Sequence, residues 1–412
     1  MTPWLLFGLF AATLFGVATC HRRALPIALL GLLAVLAVRC TLTEFAPATH
    51  LAHEWHILLN LAGLLLGFAV LADHFEHSGL PEKLTEVLPA GRAGAFALLV
   101  LVAVLSAVLD NIAAALIGGA AAMTLFQRRV HVGYLAAIVA ASNAGGAGSV
   151  IGDTTTTMLW IEGASPLWVL KASIGAAVAV LVCGFFASKQ QHALQPLTRL
   201  PHAAPPIDAA RLGIVLLILI GTVATNVLFD FPAAGVWCAI LLGALVRRPN
   251  WRALGNAVPG ACFLLSLVLT ASMMPVDELP EPSPWTTLGL GFVSAVFDNI
   301  PLTKLAIDQG GYDWGLLAYA VGYGGSMLWF GSSAGVAIAG VFPEAKSALQ
   351  WLRHGWHVAL GFVLGFAAIV AVTGWQPLAL RRVEHPRGPV PIDHGAPPTE
   401  STLENPPTGT SR

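Results

Sequence analysis

The sequence predicts an all-α polytopic membrane protein, built as an inverted repeat with two re-entrant hairpins and two broken transmembrane helices. Three observations carry this prediction. First, 56% of the 412 residues are hydrophobic and only 10% are charged, with mean hydropathy +0.74, whereas a soluble domain carries about 25% charged residues. Second, one heptapeptide is written twice: Ser106-Ala107-Val108-Leu109-Asp110-Asn111-Ile112 returns as Ser294-Ala295-Val296-Phe297-Asp298-Asn299-Ile300, each time in the middle of a long apolar run. Third, Lys and Arg concentrate in alternate loops, as the positive-inside rule requires of a polytopic chain.

The elements follow in order. A span takes about 20 apolar residues, and such runs lie at 3–20, 24–42, 55–73, 132–162, 166–187, 211–229, 232–246, 257–274, 314–342 and 354–374. The start, Met1-Thr2-Pro3-Trp4, lacks the positive region of a signal peptide, so the first run reads as a retained span. Two further apolar segments, 92–127 and 286–312, are interrupted at their centres by Asp-Asn. Two full helices joined there would leave a carboxylate and backbone groups at the membrane surface. A re-entrant hairpin with Asp-Asn at its tip is preferred, because irregular backbone at membrane depth is tolerated where protein or a water cavity surrounds it.

With both hairpins returning to the side they entered, Arg22, Arg23, Lys83, Arg92, Arg128, Arg129, Lys189, Arg199, Arg247, Arg248, Arg252, Lys346 and Arg353 share one side, which is cytoplasmic. The opposite loops, 43–54, 161–165, 230–231 and 275–285, are poor in basic residues. Arg381, Arg382 and Arg387 in the tail run against this count, which places the tail outside. The chain thus divides into a first repeat at 1–187, a cytoplasmic linker at 188–210 with four prolines, a second repeat at 211–374 of opposite orientation, and a Pro-, Gly- and Thr-rich tail at 375–412 expected to be disordered. Residues 76–90 and 343–353 read as short amphipathic pieces on the cytoplasmic face.

A carboxylate beside a carboxamide in hydrocarbon is costly and marks an ion or proton site. Its recurrence in both halves is the mark of a carrier built from repeats. The segment 132–162 holds Ser142-Asn143-Ala144-Gly145-Gly146-Ala147-Gly148-Ser149-Val150-Ile151-Gly152-Asp153 and then four threonines, Thr154 to Thr157. A helix broken there exposes carbonyl and N–H groups which, with Asn, Asp and Thr side chains, replace a cation's water shell. The second half matches with Gly322-Tyr323-Gly324-Gly325-Ser326 and then Gly331-Ser332-Ser333, where Ser332 stands in the place of Asp153. Small residues also serve close helix packing, and for the glycines singly the two readings weigh equally. Ser106 and Ser294 lie one turn before their aspartates. Lys304 and Asp308 form an i,i+4 pair, read as a surface pair near the outer face in preference to a partner for Asp298.

Other features carry less. The five cysteines fall in apolar runs without metal spacing and read as buried small hydrophobes. His53-Glu54-Trp55-His56 has its histidines three apart, not the four of the zinc motif, and is placed at the outer interface. His354 and His357 are likewise read as interfacial. A net charge of −1 gives no argument for nucleic acid, and no phosphate loop, nucleophile elbow or dinucleotide fingerprint is present. No cofactor and no enzymatic activity are expected.

Asn143-Ala144-Gly145-Gly146, followed by Ile151-Gly152-Asp153-Thr154-Thr155-Thr156-Thr157-Met158-Leu159-Trp160-Ile161, resembles the hallmark stretch of NhaD-type sodium/proton antiporters. These belong to the ion transporter superfamily, with the citrate, arsenite and divalent-anion carriers. Asp298-Asn299-Ile300-Pro301-Leu302, Gly324-Gly325-Ser326 and Gly331 to Val336 are similar to that family's second half, and the resemblance covers roughly 50–370. It implies an elevator-like carrier with functional roles for Ser106, Asp110, Asn111, Asn143, Asp153, Thr155, Thr156, Ser294, Asp298, Asn299, Ser326 and Ser332. The chain departs from the pattern at Lys304 and Asp308, and at Asn111, which Ile-Ala-Ala-Ala follows instead of a Thr-rich run.

Two functions follow from these residues. The first is a secondary antiporter of the cell inner membrane, in which Asp110, Asp153 and Asp298 hold either a proton or a transported Na⁺ or Li⁺; burial favours the protonated form of a carboxylate. The second is a sodium- or proton-coupled carrier of an organic acid or inorganic anion on the same fold, which would need helix N-termini and cations. The partners are then Na⁺ or Li⁺, H⁺ and the lipid bilayer. The sequence leaves the oligomeric state open, a homodimer included.

Overall fold

The structure is a computed structural model that describes residues 2–20, 23–197 and 205–380. Among these the regular structure is helical throughout. The helices are α1 (Thr2–Thr19), α2 (Ala24–Leu42), α3 (Pro47–Glu76), α4 (Leu80–Glu86), α5 (Gly91–Ser106), α6 (Asn111–Leu125), α7 (Val132–Ala147), α8 (Thr154–Ile161), α9 (Pro166–Leu170), α10 (Ala172–Leu194), α11 (Ala209–Phe229), α12 (Pro232–Gly243), α13 (Trp251–Ala271), α14 (Pro284–Ser294), α15 (Asn299–Gln309), α16 (Trp314–Gly324), α17 (Ser333–Val341), α18 (Ala348–His354) and α19 (Trp356–Thr373). Six helical stretches are long and apolar enough to cross a membrane: α2, α3, α9 with α10, α11, α13 and α19. The chain is a multi-pass membrane protein.

The centre is formed by short helices, not long ones. In α7 all residues but Val132 and Gly145 are buried, and every residue of α8 and α16 is buried. A helix apolar around its whole circumference belongs at the middle of a bundle, and α7 and α16 pack against each other there. Tyr134, Tyr319 and Tyr323 are fully buried. Each hydroxyl finds a carbonyl: Tyr134 donates to Ala95 O at 2.6 Å, Tyr319 to Phe362 O at 3.0 Å and Tyr323 to Val358 O at 3.2 Å. In hydrocarbon an unpaired hydroxyl would cost several kcal/mol, so these bonds fix where α7 and α16 sit on their neighbours.

Breaks occur where the sequence places polar and small residues. α5 ends at Ser106 and α6 starts at Asn111, with Gly118 of α6 against Val102 of α5, so the chain folds back on itself at Asp110. α14 ends at Ser294 and α15 starts at Asn299, with Asp298 just before it. α7 gives way at Gly148 and α8 starts after Asp153; α16 passes through a single 3₁₀ turn at Gly325–Met327, and α17 starts after Ser332.

The helix ends gather at two faces. At the first, Asn250 donates to Asp73 at 2.9 Å, Arg247 pairs with Asp208 at 3.1 Å, and Asp208 N donates to Ser78 O at 2.8 Å. At the second, His50 meets Ser272 at 2.9 Å, and Trp314 Nε1 donates to Leu378 O at 2.6 Å. The chain beyond α19 therefore leaves at the second face, where Gln376 N also donates to Asp313 at 3.0 Å.

Several details differ from the sequence reading. α10 continues to Leu194, into the stretch 188–210 expected as linker, and residues 198–204 lie outside the described residues, as does the tail from 381. α3 begins at Pro47, inside the expected loop 43–54; proline suits the first turn, where its missing N–H costs nothing. Of the cysteines only Cys183 is buried, whereas Cys20, Cys40, Cys238 and Cys262 lie on the apolar outside of the bundle. In lipid an apolar position need not be an interior one. His357 is not interfacial: it is buried, with Nε2 3.3 Å from Gln190 Oε1 of α10.

Candidate functional site

The four helices that start at the breaks have side-chain caps. Asp110 accepts from Ile112 N at 3.2 Å, Asp153 from Thr155 N at 3.3 Å, Asp298 from Ile300 N at 3.0 Å and Ser332 from Gly335 N at 3.3 Å. Ser, Thr, Asp and Asn cap because a short side chain reaches the orphan N–H groups of the first turn. Each acid is therefore held by its own helix through one oxygen.

Close backbone approach shapes the two breaks alike. A Cβ on Gly146 would lie 2.6 Å from Gly152 O and 3.1 Å from the Asp153 Cβ, and one on Gly325 would lie 2.6 Å from Gly331 O and 3.1 Å from the Ser332 Cβ. Only glycine permits either contact, which accounts for the shared spacing of glycines in the two motifs.

A polar chain runs between the two breaks. Asn111 Nδ2 donates to Asn143 Oδ1 at 3.1 Å, and Asn143 Nδ2 donates to Ser326 Oγ and Ser332 Oγ, both at 3.0 Å. On the other side Asn299 Nδ2 donates to Asp153 Oδ2 at 3.4 Å. Each break thus receives a carboxamide from the opposite half of the sequence, Asn143 reaching Ser326 and Ser332, and Asn299 reaching Asp153. Asp153 is 3% exposed, and Gly322 of α16 lies beside its carboxylate.

The expected residues do not all face this chain. Thr156 Oγ1 donates to Ser149 O at 2.6 Å and Asp153 O at 2.8 Å, and Thr157 Oγ1 to Val150 O at 3.0 Å, so both brace the unwound turn. Ser294 Oγ donates to Val321 O at 2.7 Å. Its counterpart Ser106 Oγ, and Thr155 Oγ1, are buried without a hydrogen-bond partner among the described residues. Such hydroxyls are costly unless something else satisfies them.

A cavity of about 690 Å³ reaches Asp110, Asp153, Thr154 and Thr157. Its walls include Leu64, Phe68, Leu116 and Leu264, and it extends toward Asp73, Glu76 and Glu82 at the first face. Asp298 lies elsewhere, in a cavity of about 210 Å³ with Ser333, Val17 and Phe263. Among the described residues no group of three or more His, Cys, Asp or Glu is placed to hold a metal ion.

Two residues named from the sequence have a partner in the structure that the sequence did not show. Lys304 Nζ is 2.8 Å from Asp308 Oδ1, as the i,i+4 spacing predicts, but the lysine is only 2% exposed and also meets Glu54 Oε2 at 2.9 Å and Glu162 Oε1 at 3.9 Å. The pair is not a surface pair. Glu54 belongs to α3 and is buried, while its neighbours His53 and Trp55 are exposed. The available signal was Lys304 itself, since a lysine among apolar neighbours asks for more than one partner.

Buried short helices with polar tips, beside helices of membrane length, suit a membrane carrier. The chain belongs to the citrate transporter family, which it matches over residues 9–324. It is 29% identical over 316 residues to sodium/proton antiporter 1 of Arabidopsis thaliana, covering 65% of this chain and 54% of that protein. To the Na(+)/H(+) antiporter NhaD of Vibrio parahaemolyticus it is 27% identical over 373 residues, covering 74% of this chain and 89% of that protein. To the NhaD protein of Halomonas elongata it is 27% identical over 285 residues, covering 55% and 56%. The chain thus spans about half the length of the first and third of these relatives.

Proposed function

We propose that this protein exchanges Na⁺ or Li⁺ for H⁺ across the inner membrane. The observation that carries the reading is Asp153. It is a buried carboxylate at a helix break, bonded to Asn299 from the opposite half and reached by a cavity from the first face. A carboxylate so placed holds either a proton or a bare cation, with Thr155, Asn143, Ser326, Ser332 and the loosened carbonyls nearby to complete a shell. Competition between H⁺ and Na⁺ for one site, exposed to each side in turn, is sufficient for exchange. Asp110 and Asp298, with Asn111 and Asn299, are the paired members of the same machinery, and Ser106 and Ser294 support them.

The halves 1–187 and 211–374 are an inverted repeat. Matching breaks, matching caps and matching glycine contacts support this, and α5–α6 and α14–α15 are its re-entrant hairpins. The face bearing Arg247 and Asp208 is then cytoplasmic by its basic loops, and a cavity reaching Asp153 from that face supports an inward-open state. The names of the antiporter relatives agree with the reading.

The second reading is an anion or organic-acid carrier. Four helix N-termini, those of α6, α8, α15 and α17, start at the site, and such ends attract anions; the family's name points the same way. Three of the four caps are acids, which repel an anion, so exchange of cations is preferred. The test is purified protein in liposomes with an internal pH dye, challenged separately with Na⁺, Li⁺, K⁺ and citrate. Proton efflux with Na⁺ or Li⁺ and none with citrate is expected; flux that requires citrate overturns the reading.

A further inference from the structure

Lys304 is among the largest fully buried side chains of the protein, and it is a cation. Its ammonium is held by acids from three places in the fold: Glu54 on α3 at 2.9 Å, Asp308 on α15 itself at 2.8 Å, and Glu162 just beyond α8 at 3.9 Å. Their burial is graded. Lys304 and Glu54 are dry at 2% and 8% side-chain exposure, while Asp308 and Glu162 reach solvent at 24% and 27%. All four stand at the second face, opposite the mouth of the cavity that reaches Asp153.

α8 begins at the Asp153 cap and ends beside Glu162; α15 begins at the Asp298 cap and carries Asn299, then Lys304. The two short helices are therefore tied twice, by Asn299 to Asp153 at the site and by Lys304 to Glu162 further toward the second face. Glu54 fixes that tie to the longest helix of the bundle. A paired ammonium is stable when dry and fully matched, or when wet, and is costly in between, because breaking one contact in a dry setting leaves an uncompensated charge. A contact with two favourable states and a hydrated edge has the physical character of a gate.

We propose that Lys304, with Glu54, Glu162 and Asp308, is the gate of the site on the second face: a charge-paired plug that closes the approach to Asp153 and Asn299 and parts when the carrier opens that way. Lys304 is a positioning residue in this scheme and does not touch the carried ion. The proposal rests on the reading of the chain as a carrier, but not on which ion is carried.

The test reads access, not transport. Ile300 lies one turn before Lys304 on α15 and is 2% exposed. Ile300→Cys is introduced into a full-length chain whose five native cysteines are alanine, and an impermeant thiol reagent is applied from each side of sealed vesicles in turn. Labelling from the second face is expected to be slow in this parent and at least tenfold faster with Lys304→Met. The rate from the first face should stay within twofold throughout, which a general loosening of the fold would not allow. A second-face rate within twofold of the parent in Lys304→Met overturns the proposal. If Lys304→Met is not recovered as folded protein, Asp308→Asn removes one partner and keeps Glu54 and Glu162; an increase of threefold or more is expected, and no increase overturns the proposal. Loss of sodium flux with this labelling pattern intact counts against the carried ion alone.

Discussion

Replacing Asp153 by asparagine separates the two jobs of that side chain. Asparagine keeps the Oδ1 acceptor that Thr155 N uses at 3.3 Å, and Asn and Asp are about equal as N-caps, so α8 should lose less than about 0.5 kcal/mol. The bond from Asn299 Nδ2 at 3.4 Å goes to the other oxygen, Oδ2, which becomes an NH2 in asparagine, so this contact is kept only with the Asn299 amide turned to present its own oxygen. What disappears is the charge. A hydrogen bond to a charged group is worth about 1.5–3 kcal/mol against about 1 for a neutral one, and a contact to a bare cation loses at least as much. At about 1.4 kcal/mol per tenfold, that difference of about 0.5–2 kcal/mol should lower cation affinity by at least about 2- to 30-fold. The amide cannot take up and release a proton near neutral pH, so exchange itself should stop, not merely slow. Proteoliposomes loaded with a pH dye should show Na⁺-driven proton flux below about 5% of the unmodified protein, while the thermal midpoint in detergent stays within about 2 °C. Asp153→Ala is the control that also loses the cap, at about 0.5–2 kcal/mol. Unmodified-like flux in Asp153→Asn would reject Asp153 as the ion carboxylate.

Further outcomes are expected. Asn143→Ala cuts the bonds to Asn111, Ser326 and Ser332 together; at about 1 kcal/mol each it should cost about 2–4 kcal/mol, measured as a lower thermal midpoint, and no shift would show the chain of bonds to be idle. Cysteines at Gln127, after α6, and at Gln309, the end of α15, should be labelled from opposite sides of the membrane, the first from the cytoplasm; labelling of both from one side would remove the inverted repeat. Apparent Na⁺ affinity should weaken as pH falls, because only an ionised carboxylate binds the cation, by at most tenfold per pH unit for one competing proton. An Na⁺ constant independent of pH would instead favour the anion carrier.

The breaks were legible in the sequence because their causes are local. Asp110 and Asp298 cap the helices that follow, and Gly146 and Gly325 carry the close contacts, in the very motifs whose repetition showed them. The cross-links were not. Asn143 to Ser332 and Asn299 to Asp153 join residues far apart in the chain, and no periodicity encodes a partner. Lys304 shows the limit well. Its spacing from Asp308 gives the pair correctly, but burial depends on α3, which the sequence gives no reason to place there. Cys238 and Cys262 misled for another reason, since hydropathy cannot tell a lipid-facing position from an interior one.

The caps have one more consequence, for how charge is set in such a protein. Four helices start at the site, and three of the four residues that start them are acids while the fourth is Ser332. Asp, Asn and Ser do this structural task about equally well and Thr somewhat less well, whereas Glu, one methylene longer, is not among the favoured caps. The number of charges at these four positions can therefore change within that set at little cost to the helices. Asp153 and Ser332, alike in backbone setting and different in charge, are the two settings side by side in one chain. Variation in the cargo of carriers built this way has a direct route: exchange one small capping side chain for another, and the scaffold is left as it was.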